Sequence, residues 1–303
     1  MRLATTTADF SAYTSSQIEA MRYIREAGFR YVDYSFGMDY AVSGGAYADD
    51  WQGYVDGVLQ EAERLGLQFV QAHAPMGFGT PIVPGKERDR LIAATKRSIE
   101  VCAALGIPNL VVHSGYSKGL TKAETFAQNK SFYLDILHTA EEQGITILSE
   151  NFDIMCLPDY YWVDNVQDLV ELIDYIDHPL LHACWDAGHG NMQKTPQDEA
   201  LRLLGKHVYA LHVQDNFGNA DQHMAPYMGS LNLDSLMHGL MDIGYTGYFT
   251  FEACSMFSAI GKRQPFSQDT RLLLPPLALR QKAEELLYGI GEHILTTYHC
   301  FEE

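Results

Sequence analysis

The sequence has few basic residues, few cysteines, and no apolar run long enough to span a bilayer. Each shortage excludes something. Lys and Arg number 21 against 39 Asp and Glu, which leaves a formal net charge of -18. Such a surface repels phosphate backbones and anionic lipid, so neither nucleic acid nor a membrane is expected as a partner. The five cysteines (Cys102, Cys156, Cys184, Cys254 and Cys300) are odd in number and form no CxxC pair. A disulfide framework is therefore not expected, and a reducing, cytoplasmic setting is. The opening Met1-Arg2-Leu3-Ala4-Thr5 turns polar at once, unlike a secretory leader. Glycine is missing from Ala4–Ala8, just after the first apolar run. That argues against the phosphate-binding turn of a doubly wound dinucleotide fold.

What the chain does contain is a repeated alternation of short β-like runs and longer helical stretches. The strand-like runs are Arg2–Ala4, Tyr31–Tyr34, Leu67–Gln71, Asn109–Val112, Ile145–Ser149, Leu180–Cys184, Val208–Leu211 and Tyr248–Phe251. The helical patterns between and after them are Ser16–Ala27, Trp51–Leu65, Arg88–Leu105, Ala123–Gln143, Val166–Ile176, Gln197–Leu204, Leu233–Ile243 and Leu277–Thr297. Gly28, Gly66, Gly106, Gly144 and Gly244 each follow a helical run and precede a strand, where glycine supplies a left-handed helix cap. Serial units of this kind predict a parallel sheet covered by helices. Their number, and the absence of any linker, predict one closed (β/α)₈ barrel, a single TIM barrel domain over residues 1–303, with a C-terminal helical extension from about 275 to 303.

In such a barrel all the C-terminal strand ends open on one face. Here those ends carry potential metal ligands: His73, His113, Glu150, Asp186 with His189, His212 followed by Asp221 and His223, and Glu252. Any one of them is unremarkable, but the closed ring would bring them together. Carboxylates forced that close repel one another, and a divalent cation resolves the conflict. Glu150, Asp186, His212 and Glu252 would supply three carboxylates and one imidazole. That oxygen-rich set suits Mn²⁺ first, with Mg²⁺, Co²⁺ and Zn²⁺ compatible. Asp186 and His189, three apart, would share a face if a helical turn starts there, so His189 would contact substrate or a second ion, or orient a ligand.

With Ser149-Glu150-Asn151, Asp186-Ala187-Gly188-His189, His212-Val213-Gln214-Asp215-Asn216 and Phe251-Glu252 in view, the sequence resembles the xylose isomerase-like TIM barrel superfamily. It is similar above all to its sugar phosphate isomerase/epimerase group, which includes the ketose 3-epimerases and inosose dehydratase. The resemblance implies that Glu150, Asp186, His212 and Glu252 hold one divalent metal. It also implies that Glu150 and Glu252 are the catalytic acid and base of an isomerase or epimerase, moving a proton through a metal-bound enediolate. The 3-epimerases place an arginine shortly after the strand-seven histidine, whereas Asp215–Gly218 has none.

Three other readings accompany this one. A lyase or dehydratase acting on a keto-polyol such as an inosose would use the same residues. Endonuclease IV, a multi-zinc phosphodiesterase of the same superfamily, has a ligand pattern matched here by His73, His113, Glu150, Asp186, His189, His212, Asp221, His223 and Glu252. Against it, residues 207–261 contain neither Lys nor Arg with which to hold DNA. The fourth is a non-catalytic or partner-dependent sugar-binding barrel. The same lack of cations favours a neutral sugar or polyol over a phosphorylated one, although Lys86, Arg88, Lys118, Lys122 and Lys194 lie on other upper loops.

Aromatic residues crowd the same loops (Tyr34, Phe36, Tyr40, Phe78, Tyr116, Phe152, Tyr160, Tyr161, Trp162, Phe217, Tyr227 and Phe257). Aromatic faces stack on sugar C–H surfaces, which makes Phe152, Trp162 and Tyr116 the preferred substrate wall. The stretch Phe36–Tyr47 is expected to act as a lid or as a contact in a homo-oligomer.

Overall fold

The computed structural model describes residues 1–75, 82–152, 159–256 and 271–303. Along the chain it contains β1 Arg2–Thr6, α1 Gln17–Glu26, β2 Tyr31–Ser35, α2 Phe36–Ala41, α3 Trp51–Leu65, β3 Gln68–His73, α4 Lys86–Leu105, β4 Asn109–His113 and α5 Lys122–Gln143. There follow β5 Thr146–Glu150, α6 Val166–Ile176, β6 Leu181–Asp186, α7 Ala187–Met192, α8 Gln197–Leu204, β7 Val208–His212, α9 Leu233–Asp242, β8 Tyr248–Phe251 and α10 Leu277–Thr297. The helix boundaries follow local chemistry. Thr121 and Glu124 form a capping box that starts α5, and Ser16 and Asn165 cap α1 and α6. Gly66, Gly106 and Gly144 end α3, α4 and α5 at φ of 65°, 71° and 70°, a left-handed conformation that costs glycine nothing.

The eight strands pair in parallel in the order β7-β6-β5-β4-β3-β2-β1-β8. The circle closes just beyond β7, where the Val213 amide donates to the Thr250 carbonyl at 2.8 Å and the Glu252 amide donates to the Val213 carbonyl at 3.2 Å. This is a TIM barrel, as the alternation in the sequence predicts. The apolar outer faces of the strands pack on the helices and form the main core. Beneath α10 the fit is tight: a Cβ on Gly291 would lie 2.5 Å from Leu3 and 2.8 Å from Phe251. Arg280 of α10 reaches back to Asp9 at 2.9 Å and Glu284 at 2.6 Å, and Thr5 of β1 donates to Glu284 at 2.7 Å. All four side chains are buried.

Two differences from the sequence reading bear on function. Several strands run one or two residues further than their apolar stretches, so His73, His113, Glu150, Asp186 and His212 are the last residues of strands rather than loop residues. A polar side chain that points into the barrel does not interrupt the backbone ladder. The stretch 36–47 is anchored at several points rather than free along its length: Phe36 and Ala46 are buried in the main core and Asp39 is held by the hydroxyls of Tyr34 and Tyr54, while residues 41–43 are exposed.

Candidate metal centre

Strand alternation builds the site in two layers. Inward-facing residues recur every second position. Two residues before His113, Glu150, Asp186 and His212 stand Val111, Leu148, Cys184 and Ala210, which form a separate buried apolar cluster inside the barrel. The corresponding positions of β2, β3 and β8 are instead polar: Asp33, Gln71 and Thr250, all buried. These three bond to one another, with Gln71 Nε2 donating to Asp33 Oδ2 at 2.9 Å and Thr250 Oγ1 donating to Gln71 Oε1 at 3.2 Å. The floor of the site is thus apolar on one side and hydrogen-bonded on the other.

The upper layer brings the sequence-predicted ligands together. Glu150, Asp186, His212 and Glu252 each offer one ligand atom, and the four atoms lie within 4.8 Å of one another. His212 Nδ1 is 2.8 Å from Glu150 Oε1 and 3.5 Å from Glu252 Oε2. His73 and His113 approach the other oxygen of Glu150, at 3.4 and 3.1 Å. On the far side His189, Asp221 and His223 form another compact group, with His223 Nε2 at 2.8 Å from Asp221 Oδ2. A further grouping joins Cys184 to Glu150 and His212. A cysteine therefore stands within reach of the candidate ligand set.

The elements aim these side chains. Asp186 ends β6 and caps α7, its Oδ1 accepting from the His189 amide at 2.6 Å. The helical turn expected between Asp186 and His189 is therefore present. Asn151 clips β5 to β6, accepting from the Asp186 amide at 2.8 Å and donating to the Asp186 carbonyl at 2.9 Å. Gln214 Nε2 bridges Asp186 Oδ1 at 3.3 Å and Asp221 Oδ1 at 2.8 Å. Below, His212 Nε2 meets Asp33 Oδ2 at 3.0 Å. Asp33 and Gln71 are not among the residues the sequence points to, and Gln214 stands there only inside the motif after His212. Only the two-residue alternation back from the strand ends would have found the first two.

Electrostatics show how crowded the ring is. Burial, reinforced by the charges of Glu150 and Glu252 and opposed by His189, pushes Asp186 up to about 7. Burial also works against ionised Glu150, but the neighbouring His212 and His113 outweigh it and hold that carboxyl well below its usual range. His189 resists the downward pull of burial and is raised to about 10 by Asp186 and Asp221. His212 and His223 are raised likewise, despite burial, by the acidic groups around them. Asp186 Oδ2 is buried and has no hydrogen-bond partner. A cation fits this donor set: it would satisfy that oxygen and replace the protons that the carboxylates otherwise force onto their neighbours.

Of the expected substrate wall, Phe152 stands at the site, with its ring edge-on to His113 at 4.9 Å and 5.8 Å from His189. Tyr116 and Trp162 pack on each other at 4.8 Å, and Trp162 is buried. Tyr34 and Phe36 are core residues, whereas Phe217 and Tyr227 are exposed. Phe78, Phe257 and Cys156 lie outside the described residues. Three of the upper-loop cations are already engaged: Arg88 with Asp135 at 2.7 Å, Lys122 with Asp168 at 2.7 Å, and Lys118 with Asp159 at 3.8 Å. No helix among the described residues is long and apolar enough to cross a membrane.

Compared with known proteins, residues 21–272 match the family model described as xylose isomerase-like TIM barrel. The chain is similar to the protein MJ1311 of Methanocaldococcus jannaschii, 26% identical over 236 residues that cover 75% of this chain and 78% of that protein. It is also similar to 2-oxo-tetronate isomerase of Haemophilus influenzae, 26% identical over 239 residues that cover 74% and 82%. Among solved structures, the IolI protein with a binding zinc atom superposes with a TM-score of 0.76 at 16% identity, covering 98% of this chain and 99% of that one. At that identity the likeness is one of fold.

Proposed function

Since the chain belongs to the xylose isomerase-like TIM barrel family, we propose that it is a divalent-metal-dependent isomerase or epimerase of a small sugar or polyol. The observation that carries this reading is the convergence of Glu150, Asp186, His212 and Glu252 from four consecutive strand ends, with the two glutamates at the ends of that run, on β5 and just after β8. A cation bound there, Mn²⁺ by the hardness of the donors, would polarise a sugar carbonyl and acidify the neighbouring C–H. Glu150 and Glu252 then divide the proton work. The Glu150 side chain is 1% exposed and that of Glu252 20% exposed, so Glu252 is the carboxylate that can exchange its proton with solvent. One carboxylate removes the proton and the other returns it, to the opposite face in epimerisation or to the adjacent carbon in isomerisation. Asp186 and His212 would help hold the cation. The similarity to 2-oxo-tetronate isomerase supports this chemistry. The short ion pairs that engage Arg88 and Lys122 support a substrate without phosphate.

The test is proton exchange. Metal-free protein reconstituted with Mn²⁺ is incubated with ketoses, inososes and their phosphates in D₂O. Deuterium appearing next to the carbonyl is the expected result, and no exchange across the panel refutes the proposal. Loss of water from a product would instead identify a dehydratase. A second reading has its own observation: the groups His73–His113–Glu150 and His189–Asp221–His223 flank the central one and would hold further ions, as a multi-zinc phosphodiesterase requires. About three zinc ions per chain, together with phosphodiester cleavage, would establish it.

A further inference from the structure

We infer that Asp33 is a positioning residue that fixes His212 in the orientation and tautomer a cation site needs. The inference rests on the metal-dependent reading above. Asp33 and His212 are both buried, and Asp33 Oδ2 receives His212 Nε2 at 3.0 Å. The same oxygen accepts from Gln71 Nε2 at 2.9 Å, and Gln71 is itself held by Thr250 Oγ1 at 3.2 Å on Oε1 and by the Leu211 carbonyl at 3.4 Å on Nε2. Four strands, β2, β3, β7 and β8, thus share one hydrogen-bonded patch beneath the imidazole.

The chemistry follows from counting donors. A neutral imidazole carries one N–H, and an ionised carboxylate only accepts. With Asp33 at Nε2, the hydrogen belongs on Nε2 and the lone pair on Nδ1. Nδ1 is the nitrogen that faces Glu150 and Glu252, at 2.8 and 3.5 Å. A carboxylate behind a liganding histidine also raises its basicity and locks its ring plane. An amide at position 33 can turn its NH₂ toward Nε2 and so favour the opposite tautomer, with the hydrogen directed at the site.

The experiment compares wild type, Asp33→Asn and Gln71→Leu, titrating each metal-free protein with Zn²⁺ against a chromophoric chelator. Asp33→Asn is expected to weaken Zn²⁺ binding by about 10- to 100-fold. Histidine-¹⁵N-labelled, Zn²⁺-loaded protein supplies the second readout. Wild type should show a His212 Nε2–H signal, assigned by its loss in His212→Asn, and Asp33→Asn should lose it. If Asp33→Asn does not fold, Gln71→Leu, which leaves the carboxylate free to rotate, should show a smaller weakening of the same kind. A folded Asp33→Asn protein that binds Zn²⁺ within twofold of wild type overturns the role of Asp33 alone. A wild-type protein that takes up no Zn²⁺ overturns the metal-dependent reading itself.

Discussion

Glu150 Oε1 lies 2.8 Å from His212 Nδ1, although the two residues are 62 positions apart in the chain. The pair exists because β5 and β7 flank β6, and because each strand's last residue points into the barrel. The other oxygen of Glu150 faces His113 at 3.1 Å and His73 at 3.4 Å. Glu150 therefore belongs to three of the four candidate ligand groups among the described residues, whereas Glu252 belongs to one.

That asymmetry separates two isosteric substitutions. Glu150→Gln should weaken Mn²⁺ binding and abolish exchange, because it removes the charge that His212, His113 and His73 all face. Glu252→Gln should bind Mn²⁺ more nearly normally but lose about 10²- to 10⁴-fold in D₂O exchange, the usual contribution of a positioned acid–base group. Isothermal titration and single-turnover exchange on the same preparations test both halves. Equal loss of binding in the two variants would contradict the division of labour.

The sequence carried the barrel because its signals were local and repeated: glycine caps, capping residues, and apolar runs of strand length. It carried the candidate ligand set because the fold sends every strand end to one face, so that Glu150, Asp186, His212 and Glu252 could be collected without knowing any distance. It did not carry Asp33. That residue sits between Val32 and Tyr34 in a short strand, and its partner His212 lies 179 positions away. Nor did it carry the place of 36–47, whose anchoring by Asp39 depends on Tyr54 from another helix. Contacts made between separate elements leave no mark on local pattern.

The titrating groups of the ring set the pH response of the metal-free protein. His189, His212 and His223 have raised folded pKa values, so the stability they contribute is fully present below about 6.5 and is lost as the pH rises toward those values, about 10 for His189. Asp186, raised to about 7, acts in the same direction: its protonated form is favoured in the fold, and that advantage fades as the pH climbs from about 4 through 7. The Tm of metal-free protein should therefore fall between pH 6 and pH 9. Cation binding displaces these protons, so the Tm gain on adding Mn²⁺ should grow over the same interval. A gain that shrinks with pH would show that protons and cation do not compete for these groups.

Arg280 anchors the last helix through a buried network. Arg280→Met removes the cation between Asp9 and Glu284 and leaves two buried acidic groups without it, where burial and Glu284 already push Asp9 well above the usual carboxylate range. Breaking a buried pair in this way costs about 3–5 kcal/mol. Urea unfolding should reveal that loss, and the triple replacement of Arg280, Asp9 and Glu284 by apolar residues of similar volume should recover most of it. If Arg280→Met is as stable as wild type, α10 is held by packing alone.

Gly188 offers the sharpest link between backbone and site. A Cβ placed there would lie 2.1 Å from Gln214 Cδ and 2.2 Å from its Oε1. Gln214 is buried and its amide bridges Asp186 and Asp221, so it cannot swing aside without releasing both. Asn216 Nδ2 also donates to the Gly188 carbonyl at 2.8 Å, which holds the backbone in place. Gly188→Ala should therefore cost about 1–3 kcal/mol of stability, the range for overpacking a filled interior, and should weaken cation binding through Asp186. Gln214→Ala alone should weaken binding with a smaller loss of stability. In the double variant the clash disappears, so its stability should exceed the value obtained by adding the two single losses, while cation affinity stays low. A double variant whose losses simply add would place the strain somewhere other than Gln214.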